Sequence, residues 1–365
     1  MRMLSRACAA TVFAAAIVLA GCDSSEKGAT GIDVSDRSGA TPVEESGSVL
    51  DLCDSLDTEG IGAAAGFTPK SVIGTVQANQ LMCAVSPLES LDVEVASAAA
   101  GSSDDRIVMV IRDLDDPAAF SKLVADAEEL VSISDGSWSV ESFTTPTGEG
   151  RLTSGPLAGS AAIGVGDAAA VITYVVGGET TDNGVLRGIA EVVAGSDGMR
   201  KPLTEELLLA DEDNPCHRLR PDIAAEILTD ELEVEMTGTW GMGMASCTWS
   251  REDGTTLADI STMAVSGQKT AEAIDGPEGS IFEGLGSQIV ERYRSLESAY
   301  AGADSAEPVD DHPELGAGAF YSRDDTAHGV VFEHDGLVWW SLIYWDAETW
   351  AELPAIILAK DFLDG

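Results

Sequence analysis

Cys53-Asp54-Ser55-Leu56 and Cys216-His217-Arg218-Leu219 are two copies of one short pattern, a cysteine followed three residues later by a leucine. Each copy is followed by a second cysteine, Cys83 or Cys247, at a spacing of 30 residues in the first copy and 31 in the second. Recurrence of a pattern at matched spacing indicates an internal repeat. We therefore expect two similar units in this chain of 365 residues.

The chain has six cysteines, of which Cys8 and Cys22 lie in an apolar amino-terminal segment. The remaining four allow three pairings. Their near-equal spacings favour the pairs Cys53–Cys83 and Cys216–Cys247, so that each copy contains a disulfide within itself. Disulfides of this kind are typical of exported proteins.

Outside the cysteines, apolar periodicity predicts similar elements in the same order in both halves. The predicted helices are at residues 117–131, 182–194, 282–300 and 346–362, and the predicted strands are at 91–95, 170–176 and 257–263. A hairpin is predicted as well, with strands at 329–333 and 337–345 around a turn at His334-Asp335-Gly336. This pattern predicts an α+β fold of two tandem domains, 49–200 and 201–365. Each is expected to be an antiparallel β-sheet flanked by helices, with one internal disulfide.

The first 21 residues have the features of a secretory signal peptide, with Arg2 and Arg6 before an apolar run that is too short to span a bilayer. Leu19-Ala20-Gly21-Cys22 closes this run. The small residues suit a signal peptidase, and the Cys22 thiol is the expected site of lipid attachment. Residues 22–48 then read as the lipidated cysteine and a flexible linker. We expect a protein anchored by lipid at the extracytoplasmic face of the cell membrane.

The charge balance excludes one class of partner. The chain carries 63 acidic and 20 basic residues, for a formal net charge of −43. Nucleic acid would be repelled by such a surface, so we predict no nucleic-acid partner. The anchored lipid provides the membrane contact instead, and an envelope protein or an apolar ligand remains as a candidate partner.

The second half resembles the actinobacterial lipoproteins that carry domain of unknown function 3558. The resemblance rests on the Cys216-x-x-Leu219 helix entrance, the Cys247-Thr248-Trp249 motif, the turn at Leu315-Gly316-Ala317-Gly318-Ala319-Phe320, and the closing hairpin and helix. The first half matches less well, because no tryptophan follows Cys83. The resemblance implies envelope location, an intradomain disulfide and a helix-flanked antiparallel sheet, and it implies no reaction.

Motifs that carry chemistry are incomplete. Gly164-x-Gly166-x-x-Ala169 is followed by a β-branched run where a dinucleotide site needs a helix, and Ser266-x-x-Lys269 lacks the partner motifs of penicillin-recognising enzymes. All four histidines lie in the second half without the helical spacing of a metal pair, and the acidic clusters lack the order of a calcium-binding loop. We therefore predict no catalytic residue, no cofactor and no metal site.

Tryptophan is distributed unevenly, with six of the seven residues in the second half. Adjacent Trp339 and Trp340 must point to opposite faces of a strand, so one of them is expected in the core. The other is expected to face a second helix layer, the other domain or a ligand. Trp249, Trp339 and Trp340 are the candidate ligand-facing aromatics.

The favoured function is a cell-surface lipoprotein with tandem, non-catalytic binding or interaction domains. The alternative is a carrier of an apolar small molecule in the tryptophan-rich second domain. An envelope hydrolase is the least favoured interpretation, because it needs a histidine beside a serine or carboxylate in a polar cleft.

Overall fold

The computed structural model describes the larger part of residues 48–365. The described residues are 48–77, 79–87, 106–133, 137–155, 159–176, 182–220, 223, 227, 234–251, 255–264, 267–268, 285–303, 305–323, 327–344 and 352–365. The predicted signal peptide, Cys22, the linker and the predicted strand at 91–95 lie outside them, as do Ser266, Lys269, Trp345 and Trp350.

The part of the chain up to Asn214 contains, among its described residues, seven strands and five helices, the last of which lies beyond residue 200. Its strands are β1 (Ser71–Gln77), β2 (Gln80–Ser86), β3 (Arg106–Arg112), β4 (Ser139–Thr144), β5 (Glu149–Ser154), β6 (Gly159–Val165) and β7 (Ala168–Val176). Its helices are α1 (Asp51–Asp54), α2 (Thr58–Ala65), α3 (Ala119–Ile133), α4 (Asn183–Gly195) and α5 (Glu205–Ala210), and a 3₁₀ turn covers Asp197–Met199.

The second half has seven described strands as well. They are β8 (Val234–Gly241), β9 (Met244–Arg251), β10 (Thr256–Met263), β11 (Ser305–Pro308), β12 (Phe320–Arg323), β13 (His328–His334) and β14 (Leu337–Ile343). Its described helices are α6 (Leu285–Arg294), α7 (Leu296–Gly302) and α8 (Glu352–Asp364), with 3₁₀ turns at Pro215–Arg218 and Pro313–Leu315.

All fourteen strands form one antiparallel sheet in the order β11-β12-β13-β14-β10-β9-β8-β1-β2-β3-β7-β6-β5-β4. Read outward from the centre, the two halves have the same order of strands. They meet where β1 pairs with β8, through Thr75 opposite Gly241 and Val76 opposite Trp240. The expected α+β class is confirmed, but the prediction of a separate sheet in each half is wrong. β1 and β8 are the inner edge strands of the two halves. Their backbone groups, which would otherwise be unpaired, hydrogen-bond to each other.

The predicted disulfides are present. Cys53 is bonded to Cys83 with a Cα–Cα distance of 5.4 Å, and Cys216 is bonded to Cys247 with a Cα–Cα distance of 5.2 Å. Each bond ties the helical turn that opens its half to the second strand of that half. We call the side of the sheet that carries Cys83 and Cys247 the disulfide face, and the other side the opposite face.

Helices cover both faces of the sheet. On the disulfide face, α2 and α4 pack over the first half and α8 packs over the second, with Leu186, Ile189 and Phe362 fully buried. On the opposite face, α3 covers the first half: its Phe120 lies so close to Gly164 that a side chain at position 164 would collide with the ring. Helices α6 and α7 cover the opposite face of the second half.

A buried polar junction holds the halves together on the disulfide face. The Asp211 carboxylate accepts a hydrogen bond of 2.7 Å from the backbone N–H of Val49. Nearby, Asn214 donates to the Leu208 carbonyl and accepts from the Cys216 N–H. Trp240 of β8 packs into the apolar core of the first half. The junction therefore links the core of the first half to strand β8 of the second, and partly buried Ala245 packs against the cores of both halves.

Local turns follow the sequence closely in two places. Asp335 and Gly336 have φ values of 53° and 74°, which is the left-handed pair that an Asp-Gly hairpin requires, so the predicted turn is confirmed. Gly166, with φ of 63°, forms the β6–β7 turn, and the Gly164-x-Gly166 pattern belongs to a hairpin. The predicted helix at 282–300 is interrupted at Ser295, whose side chain accepts a hydrogen bond from Ser298 N–H and caps α7.

Candidate functional site

A polar cluster lies on the opposite face of the second half, between strands β9 and β10 and helix α6. Asp259 stands opposite Thr248 in the β9–β10 pairing, and Ser261 is two residues further along β10, so all three side chains point to the same face. Thr248 Oγ1 donates to Asp259 Oδ2 at 3.2 Å, and Ser261 Oγ donates to Asp259 Oδ1 at 2.7 Å. Both carboxylate oxygens are thus hydrogen-bonded to neutral hydroxyls.

Helix α6 completes this cluster from above. Tyr293 OH lies 3.2 Å from Ser261 Oγ. A serine hydroxyl has a single proton, and Ser261 gives it to Asp259, so the proton in the Ser261–Tyr293 contact comes from Tyr293. The result is a hydrogen-bonded chain that runs from helix to sheet and ends on the carboxylate. We refer to Thr248, Asp259, Ser261 and Tyr293 as the Asp259 cluster.

The electrostatics of the cluster are those of a carboxylate without a cation. Burial raises the pKa of Asp259 from 3.8 to about 6, although the hydrogen bonds from Ser261 and Thr248 oppose the shift. Burial, and then the charge of Asp259, raise the pKa of Tyr293 to about 12. Among the described residues, no lysine, arginine or histidine lies within ion-pair distance of Asp259.

The first half has no such cluster at the equivalent positions. Cys83 pairs with Val110 across β2 and β3, as Cys247 pairs with Ile260 across β9 and β10. Counting along the strands from these pairs, Thr248, Asp259 and Ser261 correspond to Ala84, Met109 and Ile111. Apolar side chains in one half thus correspond to polar side chains in the other, so the Asp259 cluster is unnecessary for forming this layer of the fold.

The Asp259 cluster combines one carboxyl group with neutral hydroxyls. It offers a carboxyl group that gains or loses a proton near neutral pH, with three hydroxyls around it. A base that would activate Ser261 is not supplied by any histidine of the described residues. Among those residues, no group of three or more His, Cys, Asp or Glu side chains is arranged to hold a metal ion.

The structure places all three candidate tryptophans in the core. The exposed fractions are 1% for Trp249, 7% for Trp339 and 5% for Trp340. Trp339 and Trp340 point to opposite faces, as expected. Trp339 packs against Phe362 of α8 with ring centroids 4.3 Å apart, and Trp340 faces the second helix layer, 6.4 Å from the ring of Tyr293.

The indole N–H groups of these tryptophans differ in their bonding. Trp340 Nε1 donates to the Arg292 carbonyl at 3.0 Å. The Nε1 atoms of Trp249 and Trp339 are buried without a hydrogen-bond partner, as is that of Trp240. Unpaired buried donors are uncommon and each costs free energy. These unpaired N–H groups lie on the disulfide face, and they bear on the prediction that the second half carries an apolar small molecule.

The histidines are spread over the second half. The ring of His312 lies beside Lys360 and Glu314. The salt bridge between Lys360 and Glu314 lowers the pKa of Glu314 to about 2. His334 contacts Arg218 and Asp335, and His217 Nδ1 lies 3.4 Å from the Leu209 carbonyl. Within the described part of the chain, no histidine forms a hydrogen bond with a serine. The arrangement that a serine hydrolase needs is therefore not assembled among these residues.

Comparisons with protein-family models, with curated proteins and with solved structures found no match for this chain. The resemblance to lipoproteins with domain of unknown function 3558 therefore stays a prediction from short motifs. A search of the described helices found none of the length and hydropathy needed to cross a bilayer.

Sequence reasoning missed the Asp259 cluster, and it missed one signal of the repeat. Gly74 stands opposite Cys83 and Gly238 stands opposite Cys247. A side chain at position 74 would contact Cys53 Sγ, and one at position 238 would collide with Asn214. Gly74-Thr75-Val76 and Gly238-Thr239-Trp240 are thus a third shared pattern, at the same distance before the second cysteine of each half.

Proposed function

We propose that the protein is an exported lipoprotein, anchored at the extracytoplasmic face of the cell membrane through Cys22, and that it binds a ligand or partner without catalysis. The sequence motif at Leu19-Ala20-Gly21-Cys22 supports the anchor. Formation of both disulfides by the four described cysteines supports an oxidising compartment. The resemblance to lipoproteins with domain of unknown function 3558 belongs to this proposal.

The binding role is assigned to the second half, and the Asp259 cluster is the observation that carries this assignment. Two halves with one strand order differ at these positions, where one half has Ala, Met and Ile and the other has Thr, Asp and Ser. Placing a carboxyl group under a helix costs free energy that the apolar version avoids. A free-energy cost of burial that is present in only one of two similar copies is typical of a functional site.

We further propose that residues 49–200 and 201–365 are tandem copies of one domain. The shared strand order, the matched disulfides and the two matched glycines support a duplication. In this proposal the first copy serves as the structural partner that completes the sheet, and the second carries recognition.

The anchor is tested by a single substitution. Cys22→Ala is expected to move the protein from the membrane fraction to the soluble fraction, because the lipid attachment site is lost. Fractionation followed by immunoblotting measures this, with Cys8→Ala as a control that leaves the anchor intact. Retention of the Cys22→Ala protein in the membrane would contradict the proposal.

Binding is tested by crosslinking in intact cells. Proteins or ligands captured by the wild type are compared with those captured by Asp259→Asn and by Asp167→Asn, a control in the exposed β6–β7 turn. We expect Asp259→Asn alone to lose the specific species. Equal capture by all three proteins would remove the second-half site from the proposal.

The carrier of an apolar molecule is retained as a second candidate. The buried, unpaired indole N–H groups of Trp249 and Trp339 favour it, since an apolar ligand that carries acceptor atoms would satisfy them inside an apolar core. Native mass spectrometry of the protein purified from membranes tests this directly. A bound species that organic extraction removes would support the carrier, and a single unliganded mass would exclude it.

A further inference from the structure

Helix α6 is held on the sheet by the apolar contact of Val290 with Met263 and by a small set of polar contacts at its last turn. Tyr293 OH contacts Ser261, and the Tyr293 carbonyl accepts a hydrogen bond of 3.0 Å from Gln268 Nε2. The preceding carbonyl, of Arg292, accepts from Trp340 Nε1 at 3.0 Å. These side chains satisfy carbonyl groups that the end of a helix leaves free. The polar part of α6 docking therefore depends on residues 292 and 293 and on what lies beneath them.

Asp259 lies beneath this turn, and among the described residues the groups that face it supply no positive charge in contact with it. From β9 the facing group is the Thr248 hydroxyl, and from β14 it is the apolar side chain of Leu342. From α6 the facing titratable group is the phenol of Tyr293, and the nearest charged residue is Arg292.

Neither the arginines of α6 nor its backbone compensates the carboxylate. The Arg292 guanidinium lies over the Trp340 ring, 5.5 Å from its centroid, and Arg294 pairs with Glu291 at the exposed side of the helix. The carboxyl end of α6, which carries the negative pole of the helix dipole, ends at the same place. An ionised Asp259 thus meets hydroxyls, apolar groups and the unfavourable end of a helix.

We propose that Asp259 is a pH-dependent latch for the second half: with its carboxyl protonated, α6 and α7 stay docked on the opposite face, and ionisation favours their release. Release would uncover an apolar surface made of Phe320, Val331, Val338, Trp340 and Met263. The biological consequence of the latch would be regulation of the half that binds, and this consequence rests on the proposed function. The latch itself is a property of the fold.

The direction follows from linkage between proton binding and docking. With α6 docked, burial raises the pKa of Asp259 from 3.8 to about 6, and once the helix leaves, water restores the ordinary value. Stabilisation of the docked state is complete below the ordinary pKa and is lost as the pH rises through the raised one. Between about pH 5 and about pH 7.5 the released fraction should rise by up to about tenfold and level off above the raised pKa.

The first half offers an internal contrast. Helix α3 covers the same face, but Ala84, Met109 and Ile111 replace the polar residues, so the latch is absent there. On the disulfide face, α4 buries Leu186, Ile189 and Val193 against the core and has no carboxyl beneath it in the described contacts. Helix α4 therefore serves as the reference element.

Hydrogen–deuterium exchange of the wild-type protein, without ligand, tests the latch. Exchange is measured at about pH 5 and about pH 7.5 and corrected for the intrinsic pH dependence of amide exchange. We expect the peptides of α6 and α7 to lose protection at the higher pH by up to about tenfold, while α4 does not change. Equal protection of α6 at both pH values would overturn the proposal.

Two variants locate the effect. Asp259→Asn keeps the shape of the carboxyl without its charge, so α6 should stay protected at both pH values. Asp167→Asn, in an exposed turn, should behave like the wild type. A loss of protection in Asp259→Asn that still depends on pH would assign the effect to another group and overturn the latch.

The outcomes separate the latch from the binding role. A pH-dependent release of α6 together with equal crosslinking by all variants would leave the latch standing and remove the binding site. Loss of crosslinking by Asp259→Asn together with pH-independent hydrogen exchange of α6 would remove the latch and leave the binding site standing. If Asp259→Asn does not fold, the wild-type pH profile alone decides, because the latch requires a rise that has its midpoint near pH 6 and levels off above it.

Discussion

Arg112 is the residue that ties the segment after α4 to the sheet. Its side chain is 3% exposed, and its guanidinium donates to the Gly198 carbonyl, the Lys201 carbonyl and the Asp115 carboxylate. Asp115 in turn accepts from the backbone N–H of Leu203. A buried charge with this many partners cannot be removed without leaving its partners unpaired.

Replacement of this arginine tests how much the buried network stabilises the fold. Arg112→Met should lower the free energy of unfolding by about 3–5 kcal/mol, because half-buried Asp115 loses its cation and the Gly198 and Lys201 carbonyls lose their donor. Urea denaturation measures the change. Arg200→Met is the control: Arg200 pairs with Asp197 at the surface, where the side chains are 55% and 82% exposed, and its loss should cost about 0.5 kcal/mol or less. Equal losses in the two variants would contradict this account of Arg112.

Asp259 shows why part of the site was not predictable from the sequence. In Leu257-Ala258-Asp259-Ile260-Ser261-Thr262-Met263, Asp259 and Ser261 alternate with the apolar Ala258 and Ile260, as they would in any strand with one face in solvent. Only the placement of α6 over that face turns an ordinary solvent-facing pattern into a half-buried cluster. By contrast, the opposite orientations of Trp339 and Trp340 were predictable, because they depend on strand geometry alone.

At the scale of elements, the disulfides and their neighbouring glycines define each half. Cys53 lies in α1 and Cys216 lies in the Pro215–Arg218 turn, and each is bonded to the second strand of its half. The pairing was predictable because the loops have nearly equal lengths. The interruption of the predicted helix at 282–300 was less predictable. Ser295 caps a new helix there, although the apolar periodicity of the sequence continues past it.

Equal loops should give equal stabilisation. Replacing Cys53 and Cys83 by alanine should lower the free energy of unfolding by about 3–4 kcal/mol, and replacing Cys216 and Cys247 should do the same, since each loop closes over a similar length of chain. Urea denaturation of the two double variants checks this. A thiol reductant should destabilise each double variant further by the remaining bond. Loss of stability in only one double variant would show that the halves do not depend on their disulfides alike.

At the scale of the whole molecule, the two halves form one sheet, and each half has its own core on the disulfide face. The repeat itself could be predicted, because the cysteine spacing and the apolar periodicity of the sequence both indicate it. The join could not, because β1 and β8 pair through backbone groups that every strand possesses, and only two residue pairs are involved. Trp240 is the side chain that makes the join specific: it belongs to the second half by sequence and to the core of the first half by contact.

The continuity of the sheet is the central claim, and contact between Val76 and Trp240 tests it most directly. In protein with labelled valine methyl groups, a nuclear Overhauser effect is expected between a Val76 methyl and the Trp240 indole, since these residues face each other across β1 and β8. The pair Val331 and Trp340, opposite each other within the second half, is the matched reference. Signals from both pairs would confirm one sheet. A signal from Val331 and Trp340 with none from Val76 and Trp240 would contradict it.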